Sequence, residues 1–391
     1  MGSYALAYQT TGAHNTAFGR QALGGAAVTG NYNTAVGSGS LESNTTGEQN
    51  VSLGKSLYSN TTGSNNIAAG YFALAGNTTA SNNIAIGHAA LMTNSTGGNN
   101  VAIGYDALRA NTTATGSTAV GYQALTANTT GSQNTAVGSG TLDSNTTGYK
   151  NTAVGTSCGG SITTGNHNTL LGHQIGNALT TGWGNTYVGS TCAYLATDGV
   201  RNVAMGMHAL DAMTTASSNT SIGYNSGSDV TTGGGNTFLG RNAGDKVTTG
   251  SQNVCIGDEA GDAITTGSNN IIIGQNAAAS STTVSNEITL GKDDITKFRI
   301  PGLSFTIDST DITAANNILP SANNSKNLGS SSLRWANLYV NDMHFSNEGK
   351  TGGNDIDGTT GNWTLQEGAD HLYIINNKTG KRYKMGLQEV D

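Results

Sequence analysis

Charge is scarce in this chain: only 10% of its 391 residues are Asp, Glu, Lys or Arg, against roughly 25% in ordinary soluble domains. So little charge excludes a disordered segment held open by self-repulsion. The net charge of −7 contains no basic block that could track a phosphate backbone, and nucleic acid is not an expected partner. Proline is nearly absent, with two in the chain and none before Pro301, which suits a backbone whose every amide donates to a ladder. Of the three cysteines, Cys158, Cys192 and Cys255, none has a second Cys nearby. They exclude a disulfide framework or zinc site and read as small buried hydrophobes. No apolar run approaches the roughly 20 residues of a membrane helix, and no basic-then-apolar leader opens the sequence. Neither membrane insertion nor a signal peptide is expected.

What is abundant is glycine, 57 residues, together with Asn, Thr and Ser, which build turns and stack in ladders. Glycines recur at positions 2, 19, 37, 54 and 70 and then every 17 residues to Gly291. The only irregular intervals are 18 before Gly37 and 16 before Gly70, and their opposite signs restore the register. A fixed period of this kind marks stacked structural repeats. Each coil reads approximately Asn-Thr-Ala-Val-Gly-x-x-Ala-Leu-x-x-Asn-Thr-Thr-Gly-x-x, as at Asn134 to Gly148. Both apolar stretches are too short for an ordinary helix and predict two short strands per coil.

In the first strand, β-branched or aliphatic residues such as Val101 and Ile103 flank a small one, mostly Ala85, Ala102, Ala119, Ala136 or Ala153. This alternation predicts a strand buried on both faces, its small face packed against neighbouring chains around a common axis. The small residue enlarges to Leu170, Tyr187, Phe238, Cys255 and Ile272 in later coils, which predicts a wider interface there. Asn83, Asn100, Asn134 and Asn151 open successive strands and are the ladder candidates, while Ala85, Ala102, Ala119, Ala136, Ala153, Phe238 and Ile272 are the candidates for a trimer face. In-phase Asn and Thr side chains about 4.8 Å apart can bond along the stack.

The second apolar stretch exchanges volume between two positions. Coils with Leu four residues after the anchor glycine carry Asn seven after it, as in Leu91 with Asn94 and Leu142 with Asn145. Others carry Gly and an aliphatic residue there, as in Gly176 with Leu179 and Gly244 with Val247. A buried leucine lost without replacement costs about 2–5 kcal/mol. The pairing predicts one cavity filled from two directions.

The repeated Asn-x-Ala-x-Gly strand resembles the head repeats of trimeric autotransporter adhesins over residues 2–291. That resemblance implies a left-handed parallel β-roll in a homotrimer, although those heads usually have a shorter period. Past Gly291 the composition shifts: ten of the 17 Lys and Arg, both prolines and two of three Trp lie there. The stretch Ile318 to Val340, including Lys326-Asn-Leu-Gly-Ser-Ser-Ser-Leu-Arg-Trp335, is similar to a motif common in phage tail fibres. Asn362 to Lys384 resembles C-terminal hairpins of structural proteins of marine, especially cyanobacterial, phages. Read from the residues alone, Phe298 to Ile307 is an extended linker or strand interrupted by Pro301 and Gly302, and Leu333 to Phe345 is strand or helix. Trp363 to Leu365 and Leu372 to Ile375 are strands, followed by a turn at Asn377 to Gly380.

Catalysis requires a nucleophile, acid or base in mutual reach, and no coil breaks pattern to supply one. His14, His88, His167, His173 and His208 lack a ligand spacing and are expected to face solvent. Asp258, Glu259 and Asp262, with Asp245 a coil away, are an acidic patch without the dense alternation of a repeat-type calcium site. Adjacent threonines at a corner present too few outward hydroxyls for an ice-binding face. The Asn-x-Thr sequons are explained by the ladder. Asp355 and Asp357 with Glu367 and Asp370 are the one carboxylate set from which a glycan-cleaving pair could be drawn, and loop solvation is the plainer account.

The expected fold is therefore all-β: a parallel β-solenoid of about 17 coils over residues 1–291, in an intertwined or side-by-side homotrimer. A linker or transition at 292–317 and a β-rich C-terminal domain at 318–391 follow. The expected function is that of a non-enzymatic phage tail fibre, without cofactor, located on the virion. Its partners are its own copies, other virion proteins and a host-surface glycan or protein. A bacterial trimeric adhesin and a fibre-borne polysaccharide depolymerase are the alternatives.

Overall fold

The computed structural model describes residues 2–300, 305–308, 312–314, 342–346 and 359–386. Two compact units divide the chain, Met1–Ile295 and Thr296–Asp391. The break falls four residues past the last anchor glycine.

The first unit is a parallel β-solenoid. Seventeen short strands, from Thr16–Phe18 to Ile288–Leu290, form one sheet in which each pairs with the next. Register follows the sequence period: Ala85 stands opposite Ala102, Ala102 opposite Ala119 and Ala119 opposite Ala136. At about 4.8 Å per rung the stack is roughly 80 Å long. The anchor glycines follow from this closeness. A β-carbon on Gly104, which has φ 136°, would lie 2.2 Å from the carbonyl oxygen of Gly121, so only glycine fits.

The expected second strand is corrected to a turn. The Ala-Leu stretch is held in left-handed backbone, with φ of 53° at Leu91, 50° at Leu108 and 53° at Leu125. Left-handed residues cannot continue a pleated strand. The turns still stack, because the Leu91 amide donates to the Ala107 carbonyl at 2.9 Å and the Leu108 amide to that of Ala124 at 3.0 Å. A further rung runs through the threonines, where the Thr129 amide donates to the Thr146 carbonyl at 2.9 Å.

The orientation of the strand is also corrected. Ala85, Ala102, Ala119, Ala136 and Ala153 are fully buried within a single chain, against the leucines thrown inward by the left-handed turns. They line the chain's own core and are not available to a neighbouring chain. Phe238 and Ile272 are likewise fully buried, so the enlarged residues do not widen an interface. Phe238 fills space left by leucines that have become glycine: a β-carbon on Gly244 would lie 2.4 Å from its ring, and one on Gly227 would lie 2.7 Å from it. The volume exchange therefore has three members, the turn residue, the aliphatic residue after it and the strand centre.

Asparagine satisfies the buried edge. Each strand-opening amide accepts from the next coil's backbone, as in Asn83 N–H to Asn66 Oδ1 at 3.0 Å, Asn100 to Asn83 at 2.9 Å and Asn151 to Asn134 at 2.9 Å. A second ladder runs from Asn44 to Asn145, with Asn77 Nδ2 donating to Asn60 Oδ1 at 2.7 Å and Asn145 Nδ2 to Asn128 Oδ1 at 2.8 Å. It stops where Ile162 replaces Asn, leaving Asn145 Oδ1 buried without a hydrogen-bond partner.

In the second unit, Lys297–Ile300, Phe305–Asp308 and Ile312–Ala314 form an antiparallel three-stranded sheet. Within the expected linker or transition at 292–317, the strand alternative for Phe298 to Ile307 is the one found, as two paired strands on either side of the Pro301-Gly302 interruption. Asp342–Ser346, Asn362–Glu367, Leu372–Asn376 and Arg382–Lys384 form a four-stranded antiparallel sheet, as the strand and turn signals there predict. The motif at 318–340 lies outside the described residues.

Candidate functional site on the solenoid surface

Three surface features stand out on the solenoid, the first two of them repeating in register with the coils. The first is the outer face of the strands. Because the central Ala points inward, its neighbours point outward. Val36, Leu53, Ile86, Ile103, Leu239 and Ile273 are 37 to 45% exposed. With the residues two positions earlier, which are Thr in nine of the seventeen strands and Val or Ile in the rest, they make an exposed, largely apolar stripe along the sheet, the kind of surface that marks an interaction site.

The second feature is the column one residue after the anchor glycine. Tyr71, His88, Tyr105 and Tyr122 stack with ring centroids 5.9, 5.0 and 5.4 Å apart and planes within 25° of parallel. The three tyrosines remain about half exposed. The 17-residue recurrence of aromatic residues was present in the sequence but is visible as a column only once the coil is closed.

The third is the acidic patch. Arg241 reaches both Asp258 at 2.8 Å and Glu259 at 2.9 Å, and Lys246 lies 3.6 Å from Asp262. Burial raises the Asp245 carboxyl above the usual carboxylate range. Among the described residues no three His, Cys, Asp or Glu side chains come together as metal ligands.

The histidines do not converge. His14, His88, His167 and His173 are exposed, and His208 is half-buried between Thr191 at 3.1 Å and Asp211 at 3.2 Å. All three cysteines are buried and free, and burial pushes each thiol up to about 12. The first threonine of each pair is occupied, as Thr112 Oγ1 and Thr129 Oγ1 each donate at 3.1 Å to a carbonyl of the next coil. In the C-terminal unit Glu367 and Asp370 are exposed, while Asp355 and Asp357 lie outside the described residues. No helix among the described residues is long and apolar enough to cross a membrane.

No protein-family model matches this chain, and no curated protein or solved structure matches it.

Proposed function

We propose that the chain is a non-enzymatic fibre protein of a virion, its solenoid associating side by side in threes to form the shaft of a tail fibre that attaches to a host surface. The observation that carries this reading is the outward apolar face of the strands, repeated on coil after coil. Such a face is stabilised by burial against identical copies, at about 25 cal/mol per Å² of apolar area covered. Parallel copies around an axis meet the same face at every rung. This replaces the alanine face as the reason for an oligomer. The tail-fibre-like segment at 318–340 and the adhesin-like coils add resemblance to that physical argument.

Antibody labelling of intact particles tests the assignment. Gold on the tail fibres is the expected outcome, and particles without label would overturn it. The adhesin-like coils favour a bacterial surface adhesin as the second reading, and label on cells in place of virions would support that one.

A further inference from the structure

One anchor glycine differs from the rest. Gly54 is exposed, whereas every other anchor from Gly2 to Gly291 is half-buried. Its φ is 94°, against 130–140° at the anchors from Gly70 to Gly121. The cause is in the sequence: Gly54 to Leu57 holds one residue fewer than Gly37 to Leu41, which is the 16-residue interval. At this shortened coil lies a cleft of about 550 Å³ lined by Arg20, Ser38, Glu42, Lys55, Tyr58 and Tyr71, with Gly54 in its wall.

The lining has a definite chemistry. Arg20, Ser38, Lys55 and Tyr71 are successive members of the column that continues as the stacked rings of His88, Tyr105 and Tyr122. Lys55 Nζ lies 5.3 Å from the Tyr58 ring centre and 5.2 Å from that of Phe72. Among the described residues neither Arg20 nor Lys55 has a carboxylate partner within ion-pair distance. Two cations one coil to either side of a serine, aromatic rings at one end and a single carboxylate match a ligand with an acidic group and many hydroxyls. The cations take the anion, the rings contact a sugar ring's C–H face, and Glu42 accepts from hydroxyls. A polyphosphate has no C–H face for the rings and no hydroxyls for Glu42, and would leave both unused.

We infer that this cleft binds an acidic saccharide, a uronate-type sugar unit, with further units of the chain running along the tyrosine column. The inference rests on the surface-attachment reading only for where such a saccharide is met.

Titration of the purified full-length protein with oligogalacturonate, and with a neutral oligosaccharide of equal length, tests it. Oligogalacturonate is expected to bind and the neutral sugar not. Arg20→Ala and Lys55→Ala should each weaken binding about tenfold or more, and Lys246→Ala on a distant coil should leave it unchanged. Inserting a glycine between Gly54 and Lys55, which restores the 17-residue interval, should abolish it. Circular dichroism and thermal melting identify any variant that misfolds, and the remaining ones decide. Equal binding of both sugars, no binding of oligogalacturonate, or undiminished binding by folded Arg20→Ala and Lys55→Ala overturns the inference. Mass in solution is read separately, so a chain that binds the sugar as a monomer would refute the fibre and leave the cleft.

Discussion

Coils in the first half of the solenoid and many in the second half fill the same interior differently. At Gly104 the coil places Leu108 inward from a left-handed turn, keeps Ala102 at the strand centre and continues the asparagine ladder through Asn111. At Gly240 the coil has Gly244 at the turn, Phe238 at the strand centre and Val247 where the ladder would run. Both interiors are fully buried. The difference teaches that the period fixes the backbone, while the volume inside it can be divided among three side chains in more than one way.

Breaking the first kind of coil should have the largest effect. Leu108→Ala removes a fully buried side chain from a core in which the strand centres of the same and next coil, Ala102 and Ala119, are too small to fill the space. A loss of about 2–5 kcal/mol is expected, read as a lower denaturation midpoint. Breaking the second kind comes next. In Gly244→Ala the new β-carbon meets the Phe238 ring at 2.4 Å and sits at φ 59°, and overpacking should cost about 1–3 kcal/mol. Combining it with Phe238→Leu should recover part of that loss, because the two sites share one space. Full additivity in that double-mutant cycle would break the exchange.

A smaller effect separates the halves by pH. Cys158, Cys192 and Cys255 all lie in the later coils, and burial raises their thiols from the ordinary 9 to about 12. A raised folded-state pKa means the stabilisation is present below about pH 9 and is lost as pH rises towards 12. Stability should therefore fall over that window, and replacing all three with alanine should flatten the alkaline limb. An unchanged limb would show that the thiols do not report on the core.

Much of this was legible in the sequence. The 17-residue spacing of glycines gives the coil, in-phase Asn gives the ladder, and the Leu–Asn to Gly–aliphatic swap gives the shared cavity. The sense of the strand was not legible, because alternation distinguishes two faces without saying which is inside. Ala at the centre suits a close contact with another chain as well as it suits an interior already occupied by the inward leucines from the turn. The turn reads as a strand in the sequence because Ala-Leu is apolar and short. The signal for a turn is glycine in the same column, at Gly159, Gly176, Gly227, Gly244 and Gly261, where the coils from Leu6 to Gly261 all take positive φ. The cleft is not legible in the 16-residue interval, which in the sequence only restores the register.

The strands' outward face is the centre of the account, and mass in solution tests it most directly. Sedimentation equilibrium should give three times the 39.6 kDa chain mass for the native protein. Ile86→Asp with Ile103→Asp should lower it to the single-chain value with little loss of secondary structure, since both side chains are exposed in the isolated coil. A native protein at 39.6 kDa, or a trimer indifferent to charges on that face, would contradict it.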